Sequence, residues 1–223
     1  MTVQTPLAPA RILVLVSGAG SNMRDLVAAA ADSAWGGEIV SVLADRDCEA
    51  ISWAAERGIA TGVLKVKDFE TRADWDAALA DGISSARPDL IVSAGFLKLL
   101  GPAVLGAFEG RILNTHNSLL PAFPGVHGPD EALAAGAKVS GATLFFVDAG
   151  TDTGRIIAQT AVPVLDEDDA ETLLERIKVA ERAQLVESVG RLVREGWTFL
   201  GRRVLFGVHP DAGPALVDEE ARA

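Results

Sequence analysis

The amino-acid sequence predicts an α/β protein built on a doubly wound, mostly parallel twisted sheet. Four alternations of an apolar, β-rich run with a helical pattern precede residue 116, and such alternation is typical of parallel sheets. The first run, residues 11–16, is continuously apolar, as expected of a strand that is covered on both faces. Two later strands joined by a short loop predict an antiparallel C-terminal extension, which a long C-terminal helix at residues 170–194 follows.

Apolar periodicity and turn residues set the predicted bounds of the elements. Strands are predicted at residues 11–16, 38–44, 61–65, 90–94, 112–116, 139–147 and 156–164, with a last edge strand at residues 199–206. Helices are predicted to begin at residues 23, 50, 72, 102, 130 and 170, the third of them capped by Thr71. We expect residues 1–10 to be a loose lead-in, residues 11–207 to form a single domain and residues 208–223 to be an acidic tail.

Composition and charge exclude several classes of protein. The chain has 223 residues and a net charge of −11, which argues against non-specific binding to nucleic acid. No apolar run reaches the ~18 residues of a membrane span, and the N-terminus lacks the regions of a signal peptide. Cys48 is the only cysteine, which excludes an internal disulfide and a thiolate metal cluster. A single thiol also suits a reducing compartment, so a cytoplasmic location is expected.

The turn after the first strand, SGAGSN at residues 17–22, has features that suit a phosphate group. Glycines such as Gly20 let the backbone approach a ligand, and the helix start offers free backbone N–H groups. Ser21 and Asn22 are expected to cap the helix and to bond a phosphate oxygen. The turn lacks the third glycine of a dinucleotide fingerprint and the lysine of a P-loop. Taken alone, it suits a capped turn without a ligand equally well.

Asn114 and His116 stand two residues apart at the end of a predicted strand, so their side chains should project to the same side. Pro121 and Pro124 stiffen the loop that follows. Ligands bind at the carboxyl ends of the strands in such sheets. The pair is therefore expected to meet the SGAGSN turn and the apolar residues 95–100, which form either a wall for a flat ligand or ordinary core.

The loop DAGTDTG, residues 148–154, offers two acids, and spacing alone does not decide whether Asp148 or Asp152 faces the pair. The histidines lack metal-ligand spacing, so no metal is expected, and no motif of a protein nucleophile is present. Asn, His and Asp without a nucleophile suit acyl transfer to a nucleophile of the substrate. The amide would stabilise an oxyanion, the imidazole would move a proton or stabilise charge, and the carboxylate would orient the imidazole.

Two further charged residues are ambiguous by spacing. Glu181 lies on the apolar stripe of the last helix, so it either bonds a local arginine, Arg176 or Arg182, or lines a pocket. Arg72 falls in the first turn of a helix, where the dipole disfavours a cation. A solvated surface arginine is the commoner interpretation there.

The motifs ILNTHNSLLPAFPG at residues 112–125 and GATLFFVDAGTDTG at residues 141–154 resemble those of formyltransferases that use 10-formyltetrahydrofolate. The SGAGSN turn is similar to that of the members that act on glycinamide ribonucleotide. The resemblance spans residues 11–190 and implies a Rossmann-like fold, with residues 11–116 as a ribonucleotide-binding half and residues 117–207 as a folate and catalytic half. It implies formyl transfer from this co-substrate to the amine of 5-phosphoribosylglycinamide in purine synthesis, through a tetrahedral intermediate and without a metal.

The resemblance also implies roles for single residues. The catalytic positions are Asn114, His116 and Asp152; the ribonucleotide positions are Gly20, Ser21, Asn22 and Glu181; the folate positions are Arg72, Leu97, Lys98, Leu99, Leu100 and Asn114. Two residues depart from the pattern: Asn117 replaces a common proline, and Lys98 replaces a frequent arginine. Because lysine is a point charge rather than a planar fork, a changed folate contact is expected.

Four alternatives remain open at this point. Formyltetrahydrofolate deformylase shares the Asn–His–Asp centre but usually carries an extra N-terminal domain, and methionyl-tRNA formyltransferase needs a basic C-terminal domain. A nucleotide-dependent dehydrogenase would have Asp45 as its candidate ribose-binding acid. A non-catalytic ligand-binding protein is the fourth. The expected partners are small-molecule substrates, not nucleic acid or membrane, and both a monomer and a homodimer are compatible with the sequence.

Overall fold

The computed structural model describes residues 3–4 and 9–207. The strands are β1 (Val3–Gln4), β2 (Ala10–Val16), β3 (Gly37–Ala44), β4 (Ala60–Val63), β5 (Leu90–Ser93), β6 (Ile112–His116), β7 (Val139–Phe146), β8 (Ile156–Pro163), β9 (Trp197–Leu200) and β10 (Arg203–Phe206). The helices are α1 (Ser21–Ala30), α2 (Glu49–Ala55), α3 (Arg72–Ala86), α4 (Pro102–Ala107), α5 (Gly128–Ala134) and α6 (Ala170–Glu195). Short 3-10 helices lie at Ser33–Trp35 and Val66–Asp68.

The main sheet has seven strands in the order β4-β3-β2-β5-β6-β7-β8. Strands β2 to β6 pair in parallel, whereas β7 is antiparallel to both β6 and β8. This is the doubly wound, mostly parallel sheet with an antiparallel extension that the sequence predicts. The carboxyl ends of the parallel strands lie at one edge, which brings together the loops that follow β2, β3, β5 and β6.

Helices cover both faces of the sheet, and β2 shows why its sequence is continuously apolar. Val14 packs in a cluster with Leu26 of α1 and Leu185 of α6, whereas the preceding residue, Leu13, packs with Trp75 of α3. All five side chains are fully buried. Successive strand residues point to opposite faces, so a strand covered on both sides needs apolar residues at every position.

The C-terminal part differs from the predicted single edge strand at residues 199–206. The chain turns at Gly201, whose φ is 57°, and β9 and β10 form an antiparallel hairpin. Strand β1 pairs with β9, so the three form a separate small sheet. Residues 3–4 therefore pair with residues of β9, in a part of the chain that the sequence predicts to be a loose lead-in. The predicted acidic tail, residues 208–223, lies outside the described residues.

The helix starts agree with the sequence in one case and correct it in another. Thr71 caps α3 as predicted, in a reciprocal capping box with Asp74. In α1, however, Ser21 is already helical, and the cap residue is Gly20, with no capping bond from a side chain. The prediction that Ser21 and Asn22 cap this helix is therefore wrong. Within residues 9–207, none of the helices is long and apolar enough to cross a membrane.

Candidate active site

The end of β6 places three consecutive side chains in different surroundings. His116 is 8 % exposed, and its imidazole contacts the loops at residues 121–125 and 148–154. Thr115 points to the other face of the sheet, where its hydroxyl donates to Glu181 of α6 at 2.7 Å. Asn114 is half-buried, and within residues 9–207 its side-chain amide has no hydrogen-bond partner. The alternation of a strand thus separates two parts of one site.

The imidazole of His116 lies between a carbonyl and a carboxylate. Its Nε2 is 2.8 Å from the carbonyl oxygen of Phe123, and its Nδ1 is 3.6 Å from Oδ2 of Asp152. A carbonyl oxygen only accepts hydrogen bonds, so Nε2 carries a hydrogen and Nδ1 faces the carboxylate. The ring is therefore oriented from both sides.

The structure also separates the two acids that spacing leaves open. Asp148 accepts bonds from the Gly150 amide and the Thr153 hydroxyl, so its carboxylate closes its own turn. Asp152 has a φ of 55° and accepts the Gly125 amide at 2.8 Å through the same oxygen that faces His116. Asp152 is thus the acid that joins the His116 loop to the loop at residues 148–154.

A pocket of about 260 Å³ lies on the opposite side of β6. It is formed by residues 18–22, here called the glycine loop, together with the ends of β5 and β6 and one turn of α6. Its lining residues are Gly18, Ala19, Gly20, Ser21, Asn22, Ala94, Gly95, Thr115, Asn117, Lys178 and Glu181. The start of α1 offers free backbone N–H groups here. The pocket draws on both of the halves that the resemblance implies.

Gly20 is required by its geometry. Its φ is 73°, and a Cβ at this position would lie 2.6 Å from the Cβ of Ala50. Glycine is the residue that adopts this conformation without strain, and it lets the loop pack closely on α2. The tight turn before α1 therefore depends on this residue.

Glu181 is 6 % exposed and forms the centre of the pocket's polar network. Its Oε1 accepts from Asn22 Nδ2 at 2.6 Å and from Thr115 Oγ1 at 2.7 Å. The alternative of a local arginine partner is wrong, since Arg176 pairs with Asp168 and Arg182 pairs with Asp25. The carboxylate thereby joins α6 to both α1 and β6. Thr115 was not identified by sequence reasoning, although its place between Asn114 and His116 is a signal.

Asn117, the departure from the proline pattern, also lines this pocket. Its Oδ1 is buried and has no hydrogen-bond partner among the described residues. An unpartnered buried acceptor is costly, so this residue is not a neutral replacement within the loop.

The apolar segment, residues 95–100, follows the end of β5, with Gly95 in the lining of the same pocket and the Leu97 amide bonded to Ser17, which precedes the glycine loop. Leu97 and Leu99 are 68 % and 74 % exposed, so the interpretation of this segment as ordinary core is wrong for these two residues. Leu100 is partly buried against the cluster around Trp75. Arg72 is exposed but not merely solvated, since it donates to the carbonyl of Leu99 and its guanidinium lies 4.0 Å from the Trp75 ring. The structure thus brings Arg72 to the segment.

Lys98 points into a charged cleft of about 390 Å³, which is lined by Asp45, Arg46, Asp47, Lys65, Val66, Lys67 and Lys98. Burial opposes the ionisation of Asp45. Hydrogen bonds from Arg46 and Ser17, with the charges of Arg46 and Lys98, outweigh this effect and lower its pKa. Because Arg46 and Ser17 occupy its carboxylate, Asp45 does not present a free acid to a ribose, which argues against the dehydrogenase alternative. Sequence reasoning missed Ser17 as a partner of this acid.

The fold and the site define a group-transfer enzyme of the α/β class, and residues 10–189 match the model of the Formyl transferase family. The chain belongs to this family. Over 202 residues it is 51 % identical to the phosphoribosylglycinamide formyltransferase of Mycobacterium tuberculosis, which covers 91 % of this chain and 94 % of that relative. It is 35 % identical to the Bacillus subtilis enzyme of the same name, over 77 % of this chain and 88 % of the relative.

A solved structure gives the same result for the fold. Glycinamide ribonucleotide transformylase 1 from Symbiobacterium toebii superimposes with a TM-score of 0.85 at 37 % identity, over 89 % of this chain and 94 % of that one. The predicted fold class and the predicted membership of the formyltransferases are confirmed. The deformylase alternative is not favoured, because these relatives are named as transferases.

Proposed function

We propose that the protein transfers the formyl group of 10-formyltetrahydrofolate to the amine of 5-phosphoribosylglycinamide, a step of purine biosynthesis. The observation that carries this proposal is the division of β6, with His116 and Asp152 on one side and the Thr115–Glu181 pocket on the other. A site for an acyl donor and a site for an acceptor would then meet at one strand end. The names of the relatives support these two substrates.

The ribonucleotide would bind in the pocket beside the glycine loop. Its phosphate would accept from the backbone at Gly20 and from Ser21 and Asn22, close to the free N–H groups of α1. Lys178 lines the same pocket and would supply positive charge, which a chain of net charge −11 needs locally. Glu181 would accept from ribose hydroxyl groups, and its bonds to Asn22 and Thr115 hold it in place.

The folate would bind against the apolar segment. Leu97 and Leu99 offer exposed apolar surface for a flat ring, and Leu100, next to them in the chain, packs against the cluster around Trp75. Arg72 and Lys98 would face the carboxylates of the donor, Arg72 from its fixed place at Leu99 and Lys98 from the edge of the charged cleft.

The reaction would then run between these two substrates. The amine of the glycinamide attacks the formyl carbon, a new C–N bond forms, and the oxygen becomes an oxyanion that the Asn114 amide stabilises. Breakdown of the tetrahedral intermediate breaks the bond to N10. The proton that leaves the amine passes to N10, with His116 as its carrier, and Asp152 stabilises the charged imidazole. Tetrahydrofolate and the formylated ribonucleotide are the products.

The proposal extends to where and with what the protein works. The chain would act in the cytoplasm on small-molecule substrates, as the free thiol of Cys48 suits a reducing compartment. Residues 11–207 would act as one catalytic domain, because the pocket combines the glycine loop with α6.

The test is an absorbance assay of the loss of the formyl group from 10-formyltetrahydrofolate, with and without the ribonucleotide. Turnover that depends on the ribonucleotide is expected. Turnover without the ribonucleotide would indicate a deformylase instead. No turnover in either mixture, with a folded protein, would contradict catalysis and favour a ligand-binding protein.

A further inference from the structure

Ser17 lies at the junction between the two halves of the proposed site. It is 5 % exposed, it is the first residue after β2, and its backbone continues directly into the glycine loop. Its side chain contacts a residue of another loop. The hydroxyl oxygen accepts a hydrogen bond from the amide of Leu97 at 2.8 Å, across 80 positions in the sequence. One residue thus contacts both the glycine loop and the apolar segment.

The side chain of Asp45 is the neighbour of this hydroxyl. Ser17 and Asp45 directly follow the paired strand ends of β2 and β3, where Val16 lies beside Ala44, and Asp45 is 5 % exposed. A hydrogen bond from the Ser17 hydroxyl is one of the causes that lower the pKa of the Asp45 carboxyl. Arg46 bonds the same carboxylate at 2.7 Å and fixes it in turn. A hydroxyl that donates to a carboxylate keeps its lone pairs for a donor such as the Leu97 amide. The three groups form a chain from Asp45 through Ser17 to the main chain of Leu97.

Two other residues of the apolar segment are anchored by packing, since Phe96 stacks on Trp75 and Leu100 packs against the same cluster. The side chains of Leu97 and Leu99 are mostly exposed, so packing does not fix this part of the segment. The second polar anchor is the bond from Arg72 to the carbonyl of Leu99. Between Phe96 and Leu100, the two exposed leucines are therefore held by two hydrogen bonds to the main chain, one at the Leu97 amide and one at the Leu99 carbonyl.

We propose that Ser17 and Asp45 act as a positioning pair for the formyl donor: they fix the main chain at Leu97 so that the exposed leucines face the folate. This inference rests on the proposed function. Neither residue needs to touch a substrate, because each acts through the Leu97 amide. The ribonucleotide pocket has its own network at Glu181, so the loss of this pair should affect one substrate and not the other.

The experiment compares Ser17→Ala, Asp45→Ala and the double variant with the wild type. Ser17→Ala is expected to raise the KM for 10-formyltetrahydrofolate roughly three- to tenfold, which is the loss of one neutral hydrogen bond. The KM for the ribonucleotide and kcat should change less than about twofold. Because both residues act in one chain, the double variant should be no worse than Ser17→Ala alone. Ser41→Ala is the matched control, since Ser41 is 6 % exposed in the middle of β3 and distant from the segment.

Hydrogen exchange of the peptide that contains residues 95–100 provides a readout independent of activity. Exchange at the Leu97 amide should be faster in Ser17→Ala and Asp45→Ala than in the wild type and in Ser41→Ala. An unchanged folate KM, or an equal rise of both KM values, would overturn the proposal. Asp45→Ala keeps the test decisive if Ser17→Ala does not fold. Failure of the proposed function would appear separately, as a wild type without ribonucleotide-dependent turnover.

Discussion

The two sides of the site differ in how they are held. On the glycine-loop side, a buried carboxylate accepts two side-chain bonds and joins two helices to β6. On the side of the apolar segment, Leu97 and Leu99 remain 68 % and 74 % exposed, and the main chain is fixed from outside the segment. The first side is assembled on folding, whereas Leu97 and Leu99 on the second would be buried only by a bound ligand. Residues of the first side should therefore affect stability and binding together, and those of the second should affect binding alone.

The largest effect is expected where the two sides meet. His116→Ala and Asp152→Asn should each lower turnover by about 10²–10⁴-fold, because each removes part of the proton carrier or of the group that orients it. Both KM values should change little, since neither residue belongs to the two binding surfaces. Steady-state kinetics test this, with circular dichroism as the check that the variants are folded. Turnover at the wild-type level in either variant would contradict the assigned roles.

Glu181→Ala should show the combined effect that is expected of the glycine-loop side. The substitution leaves Asn22 and Thr115 without their shared acceptor, so the free energy of unfolding should fall by about 2–3 kcal/mol. The KM for the ribonucleotide should rise, whereas the KM for the folate should stay unchanged. Urea unfolding and kinetics measure both quantities. Glu187→Ala, an exposed glutamate on the same helix, is the control and should stay within about 0.5 kcal/mol of the wild type. Equal stability of the two variants would refute the structural role of the network.

The double variant Leu97→Ser with Leu99→Ser should show the opposite pattern. Both side chains are exposed, so the free energy of unfolding should change by less than about 1 kcal/mol. The folate KM should rise by about tenfold or more, because the ligand can no longer bury two leucines. Leu165→Ser, at a leucine that is 47 % exposed and remote from the segment, should leave the kinetics unchanged. An unchanged folate KM in the double variant would mean that the folate ring binds elsewhere.

The smallest effect on activity is expected far from both sides. Hydrogen bonds from Arg176 and from the Leu165 amide lower the pKa of Asp168 to about 2. The pKa of Asp168 in the folded protein is thus below the ordinary value of 3.8. The ionised carboxylate therefore stabilises the fold above about pH 4, and this stabilisation is lost as the pH falls towards 2. Asp168→Asn should be less stable than the wild type at pH 7, by a margin that closes between pH 4 and pH 2, with unchanged turnover at pH 7. A margin independent of pH would contradict this account.

The strands, helices and caps that depend on local sequence pattern could be predicted from the sequence. The parallel strands, the Thr71 cap and the hairpin of β7 and β8 follow from apolar period and turn residues, and the structure has all of them. The placement of Asn114 and His116 at one strand end could be predicted in the same way. Each of these features is determined by residues that are close together in the sequence.

Features that depend on tertiary packing could not be predicted in this way. The partners of Glu181 lie 159 and 66 positions away, and they are fixed only when α6 packs on α1 and β6. The bond between Ser17 and Leu97 likewise spans two loops that the sheet brings together. The two-strand hairpin after Gly196 was predicted as one strand, because Gly201 interrupts a short apolar run that has no clear period.

The most direct test follows the formyl carbon itself. Wild-type protein would receive 10-formyltetrahydrofolate with a labelled formyl group and an excess of the ribonucleotide, and mass spectrometry would locate the label in the products. The account predicts that the label appears in the ribonucleotide, one formyl group for each tetrahydrofolate formed. Label found in free formate, at the same rate with and without the ribonucleotide, would contradict it, since the glycine-loop pocket would then not supply the acceptor.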